Sequence, residues 1–118
     1  MTLQTHKIER GRGWIIRYLE EQHPEPLEFP VLQVCLDERN FPLSNRELLK
    51  HLEFLRSAEL LRVFPSGAKN PLNEVEQAKL LQRAVNNDSV ARDVCIVIRN
   101  KGILLHEGKL TVDGVERI

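Results

Sequence analysis

Apolar residues along the chain recur at helical spacing in some stretches and crowd into short runs in others. From about Lys7 to Gln22, Ile8, Ile15, Tyr18 and Leu19 fall on one side of a helix, with Arg10, Arg17 and Glu21 free to face solvent. Gly11 and Gly13 each cost roughly 1 kcal/mol in a helix interior, so this first helix is expected to be firm from Trp14 onward. Pro24 and Pro26 stop it and make a rigid, extended connection. Phe29, Leu32, Cys35 and Leu36, with Val31 and Val34 beside them, predict a strongly apolar scaffold helix over Val31 to Glu38, followed by a turn at Asn40 to Leu43.

The third helix carries the clearest signal. Ser44 followed three residues later by Glu47 is a capping box, in which the hydroxyl accepts from the Glu47 amide and the carboxylate reaches back to the Ser44 amide. A helix therefore starts at about Asn45. Leu48, Leu52 and Leu55 make its packed stripe, and Arg46, Lys50, Glu53 and Ser57 its opposite side. Leu60 to Phe64 reads as a strand and Pro65 to Asn70 as a polar loop. Asn73-x-x-Glu76 is a second capping-box start, with Val75, Ala78, Leu81 and Val85 at helical spacing until Asn86-Asn87-Asp88. Asp93 to Ile98 is an apolar, β-branched run expected to pair antiparallel with Leu60 to Phe64. Asn100 to Gly108 fits a short helix ended by Gly108 or a hairpin turned at Asn-Lys-Gly, and local signals leave the two even. Lys109 to Ile118 has no compelling period and is expected to run over the surface. Helix, turn, helix, strand is the order of a winged helix-turn-helix.

Composition narrows the choice. With 118 residues and 42% hydrophobic content the chain suits a single domain, 1–118, around one core. Seventeen basic and 17 acidic residues cancel, so any attraction for nucleic acid must be local. Ser44 to Asn70 holds five cations against Glu47, Glu53 and Glu59, a surplus of two, while the segment before it is acidic by two and the one after is balanced. Cys35 and Cys95 each sit in an apolar run and read as buried thiols in a reducing cytoplasm. No run approaches the roughly 18 apolar residues of a membrane span, and no signal peptide precedes the first helix, so a cytoplasmic location without membrane contact is expected.

Enzymatic and metal chemistry find little support. Gly11-Arg12-Gly13 has no strand before it and no Lys-Ser or Lys-Thr after it, as a phosphate loop requires. His6, His23, His51 and His106 show no ligand spacing with one another or with Cys35, and the third helix has no cysteine pair for a soft ion. No paired carboxylates stand out. The expectation is a protein without catalytic residues, metal or cofactor.

The set Trp14-Ile15-Ile16-Arg17-Tyr18-Leu19, then Leu43-Ser44-Asn45-Arg46-Glu47-Leu48-x-x-x-Leu52-x-x-Leu55 with Leu60-Leu61-Arg62-Val63, resembles the winged helices of the MarR and ArsR types. The ending Ile98-x-x-Lys101-Gly102-Ile103-x-x-x-x-Glu107-Gly108-x-x-Thr111-Val112-x-Gly114-Val115 resembles a narrower group, small winged-helix proteins of Mu-like phages and prophages. The resemblance covers nearly the whole chain except about Pro65 to Arg92. It implies an α+β winged helix-turn-helix with a three-helix core, a small antiparallel sheet and a short C-terminal helix over Lys101 to Glu107 packed on the first helix. The helix inserted in the wing, at about 65–92, departs from the short wing of that pattern and suggests a surface for self-association.

These readings converge on a non-enzymatic DNA-binding protein, a phage or prophage transcriptional regulator that reads the major groove of double-stranded DNA with helix 45–57 and works as a homodimer. Arg46, Lys50 and Asn45 are the candidates for base contact, because Arg and Lys can bond guanine edges and Asn adenine. Ser44, Arg56 and Lys69 are the candidates for phosphate. Glu53 on the same face should weaken phosphate contact, and a solvated face with alternating charge is common on idle surfaces. The alternative is a winged-helix adaptor in phage assembly or host takeover, docking a protein partner through helix 73–85.

Overall fold

The computed structural model describes residues 2–118. In chain order its elements are α1 (Leu3–Gln22), β1 (Leu27–Glu28), α2 (Phe29–Glu38), α3 (Asn45–Ser57), β2 (Leu61–Pro65), α4 (Glu74–Val85), α5 (Asp88–Arg92), β3 (Val94–Ile98) and α6 (Asn100–His106). The protein is α+β, with six helices among the described residues around a three-stranded antiparallel sheet ordered β1-β3-β2. β3 is central because it is the most apolar strand. Ile96 pairs with Val63 on one side and with Leu27 on the other. No helix among the described residues is long and apolar enough to cross a membrane.

α1 starts earlier than its glycines suggest. The Thr2 hydroxyl accepts from the Thr5 amide at 3.1 Å, and the helix then runs unbroken to Gln22. The penalty at Gly13 is offset by tertiary contact: a Cβ built there would lie 2.0 Å from the carbonyl oxygen of Glu116, so only glycine lets the C-terminal segment cross the helix so closely. That segment forms neither helix nor strand, yet Val115 is buried, and the Glu116 amide donates to the Glu9 carbonyl at 3.1 Å.

α2 buries Phe29, Leu32 and Leu36, with Pro30 in its first turn. Val31 and Val34 are 45% and 55% exposed, and Cys35 is only half-buried, so the scaffold helix is apolar beyond what its packing uses. The expectation that both thiols are buried holds for Cys95 and is corrected for Cys35, which lies on the flank of the helix rather than beneath it. Neither thiol is activated: burial and nearby carboxylates hold both above the usual thiol range.

α3 follows the turn, its capping box complete in both directions, with Leu48, Leu49, Leu52 and Leu55 buried. β2 and β3 pair from Leu61 opposite Ile98 to Pro65 opposite Val94. Between them comes α4, whose cap Asn73 and Glu76 also form a reciprocal pair. α4 does not project. It lies along the free edge of β2, where the buried Gln77 side chain accepts from the Val63 amide at 3.1 Å and donates to the Leu72 carbonyl at 3.1 Å. An otherwise open strand edge is thereby closed. Asn86-Asn87-Asp88 ends α4 as expected, and Asn87 also starts a further short helix, α5, by accepting from the Ser89 and Val90 amides. α6 is helical and packs on α1, as the resemblance implies.

Candidate nucleic-acid interface

α3 is held from both sides, and the two sides differ in chemistry. On one flank, Arg12 of α1 donates from Nε to Nδ1 of His51 at 3.1 Å, lies 3.7 Å from the Phe54 ring centroid and donates to the Gly114 carbonyl at 3.2 Å. Burial, then the neighbouring Arg12 charge, pushes the His51 pKa down to about 4, so the imidazole is neutral at physiological pH and accepts at Nδ1. This ties the third helix to the first and to the C-terminal segment.

On the other flank lies α4, antiparallel to α3. The direction follows from the ties at its two ends. At the C-terminal end of α3, Arg56 donates to both Glu53 oxygens, at 2.8 and 2.6 Å, and to Glu74 at the start of α4 at 2.7 Å. At the N-terminal end, Asn45 donates to Asp88 of α5, just beyond α4, at 3.2 Å while accepting from Gln33 of α2 at 2.7 Å.

These ties revise the roles of two candidates. The Arg56 side chain is only 10% exposed, and its carboxylate partners hold its pKa above the ordinary arginine value, the hydrogen bonds it donates to Glu53 first. It is withdrawn from phosphate contact. The Asn45 amide joins three helices at once, its oxygen and its nitrogen each already holding a partner, so the fold fixes its orientation and it is not free to turn toward adenine. The other four candidates stay at the surface. Arg46 and Lys50 are exposed one turn apart on the outer face of α3. Ser44 is exposed, and its hydroxyl accepts from the Glu47 amide, which leaves its proton free to donate. Lys69 stands apart from α3, on the loop after β2, where it lines a small hollow of about 170 Å³ with Arg62, Phe64 and Gln77.

The electrostatics of this face depend on which charges already have partners. Between residues 44 and 87 every carboxylate is engaged within the chain: Glu53 and Glu74 by Arg56, Glu74 also by Arg99, Glu59 by Lys101, and Glu47 and Glu76 by the Ser44 and Asn73 amides of their capping boxes. Over the same span, Arg46, Lys50, Arg62, Lys69, Lys79 and Arg83 are exposed and make no ion pair among the described residues. Glu47 and Glu76 keep their charge, so in a chain of zero net charge these six free cations face two unpaired carboxylates over this span. Glu53, expected to repel phosphate, is neutralised by the residue one turn on. Lys79 and Arg83 stand at i, i+4 on the polar side of helix 73–85, a spacing legible in the sequence.

That stripe is largely used inside the chain. Gln77, Leu80, Leu81 and Ala84 are the buried residues of α4, Ala78 and Val85 are half-buried, and Val75 alone of the predicted docking positions is well exposed, at 62%. Among the described residues no group of three or more His, Cys, Asp or Glu could hold a metal ion. No protein-family model, curated protein or solved structure gives a significant match to this chain.

Proposed function

We propose that this chain is a winged helix-turn-helix protein that binds duplex DNA without catalysing a reaction, as a phage or prophage transcriptional regulator of the Mu-like group acting in the host cytoplasm. The order α2, turn, α3, then the β2 and β3 pair, supports the winged-helix reading. The observation that carries the DNA reading is the asymmetry of partners between residues 44 and 87, where all carboxylates are engaged and Arg46 and Lys50 stand free on the outer face of α3. In the major groove these two side chains would bond guanine edges or phosphate, with Ser44 donating to the backbone. A homodimer doubles a contact set that is small in one copy. The exposed Leu3 and Ile8 of α1, in an open groove that also contains Phe41 and Leu43 and is bounded by Glu47 and His51 of α3, support a pairing surface along α1.

The test is selection of bound duplexes from a random-sequence library, followed by titration of the selected duplex with Arg46→Ala/Lys50→Ala. The double variant should keep its circular dichroism spectrum and lose about tenfold or more in affinity. Unchanged affinity would remove α3 as the reading helix, and failure of the unaltered protein to enrich any duplex would end the DNA reading. The adaptor reading has no comparable observation behind it, since the apolar positions of α4 chiefly cover its own core.

A further inference from the structure

We infer that α4 is a second DNA-contacting element, one that grips the sugar–phosphate backbone beside the groove occupied by α3 and does so without regard to sequence. The inference rests on the DNA reading of α3 and adds Lys79 and Arg83 as phosphate ligands, with Gln82 beside them.

Size limits where α4 can lie. The major groove is about 12 Å wide and a helix with its side chains about 10–12 Å across, so one helix fills it. α4 packs directly against α3, and helices in contact lie about 8–10 Å apart. With α3 in the groove, its antiparallel neighbour has no room there, and the part of the duplex within its reach is the groove wall, which is phosphate. What α4 shows on that side follows from its burial. Gln77, Leu80, Leu81 and Ala84 turn inward, so Lys79, Gln82 and Arg83 turn outward, and all three are exposed. Lys79 and Arg83 make no ion pair among the described residues. The nearby Glu76 is bonded to the Asn73 amide at 3.0 Å, and Glu74 is shared between Arg56 and Arg99. Glu76 keeps its charge and shares the hollow of Lys79, Gln82 and Arg83, so the outward face carries a surplus of one cation, at the Lys79, Gln82 and Arg83 end, and it is this end that suits a phosphodiester track. The track is also preorganised: Glu74 at one end, Asp88 just past the other and Gln77 between fix α4 against α3 and β2, so no segment has to be ordered on binding.

Backbone and base contacts leave different signatures, which supplies the experiment. Affinity for two duplexes of unrelated sequence is measured by fluorescence anisotropy over about 50 to 200 mM salt, for the unaltered protein, Lys79→Ala/Arg83→Ala and the charge-keeping Lys79→Arg/Arg83→Lys. The alanine pair should weaken binding to both duplexes by the same factor and flatten the slope of log affinity against log salt by about 1.8, two phosphates at about 0.9 each. The charge-keeping pair should restore the slope, which a merely structural role for these side chains would not require. A slope unchanged in the alanine pair overturns the inference and leaves the α3 reading intact. A changed preference between the two duplexes overturns the claim that the track ignores sequence. Absence of binding by the unaltered protein overturns both readings together.

Discussion

Arg12 Nε donates to His51 Nδ1 across 3.1 Å, joining the middle of the first helix to the middle of the third. The imidazole can accept this bond only while it is neutral, and with a folded pKa of about 4 it stays neutral well below its ordinary value of 6.5. Between those values the unfolded chain binds the proton and the folded chain does not, so stability is complete above about pH 6.5 and declines as the pH falls toward 4. After discounting for the part of the ring that solvent reaches, the loss should be about 1–2 kcal/mol. Thermal melts of the unaltered protein and His51→Gln at a series of pH values read it directly. The unaltered protein should show the extra decline, and a His51 proton resonance titrating near pH 6.5 would remove its basis.

Arg56 should matter to DNA binding without touching DNA. Arg56→Ala leaves Glu53 and Glu74 without their chief partner on the cationic face, and should cost about 1–2 kcal/mol of stability because both carboxylates are partly hydrated. Affinity for duplex should fall as well. Adding Glu53→Gln and Glu74→Gln to Arg56→Ala should recover most of that affinity if the role of Arg56 is neutralisation. Direct contact between Arg56 and phosphate predicts no recovery, and anisotropy titration at fixed salt separates the two.

Gly11 and Gly13 should respond to alanine with opposite signs, although both lie in one helix. A Cβ at Gly11 meets only Phe41 Cδ1, at 3.8 Å, an ordinary contact, so Gly11→Ala should stabilise by about 0.5–1 kcal/mol through helix propensity. A Cβ at Gly13 collides with the Glu116 carbonyl at 2.0 Å, so Gly13→Ala should destabilise by about 2 kcal/mol or more as the C-terminal segment is displaced. Urea unfolding of the two variants decides it, and equal effects would remove the close crossing as the reason for Gly13.

Gln77→Leu keeps the bulk of a buried side chain and removes both of its hydrogen bonds. The Val63 amide and the Leu72 carbonyl would each lose a partner, at a cost of about 1–3 kcal/mol. Hydrogen exchange at the Val63 amide should accelerate more than exchange at the β2 amides that pair with β3. Equal protection in both forms would show that Gln77 does not hold the edge.

How much of this was legible in the sequence depends on where each residue finds its partners. α3 and α4 could be placed closely because each carries its own cap, with Ser44 and Glu47, and Asn73 and Glu76, all within three residues of one another. β1 and α5 could not, since two residues of strand and five of helix are too short for a period and exist through pairing with β3 and capping by Asn87. The same division runs through the candidate interface. The exposure of Arg46 and Lys50 followed from the leucine stripe beneath them. The engagement of Asn45 and Arg56 did not, because Gln33, Asp88 and Glu74 approach them from elsewhere in the chain. Helical spacing distinguishes inside from outside, but it cannot tell a solvated cation from one already held by a distant carboxylate.

The clasps at the two ends of α3, one at Asn45 and one at Arg56, have a mechanical consequence. A helix fastened at one end can swing about that point, whereas one fastened at both is splinted, and rotating it within the chain means breaking two polar junctions and the Arg12 bond together. α3 is therefore a fixed strut of this fold and not a moving part of it.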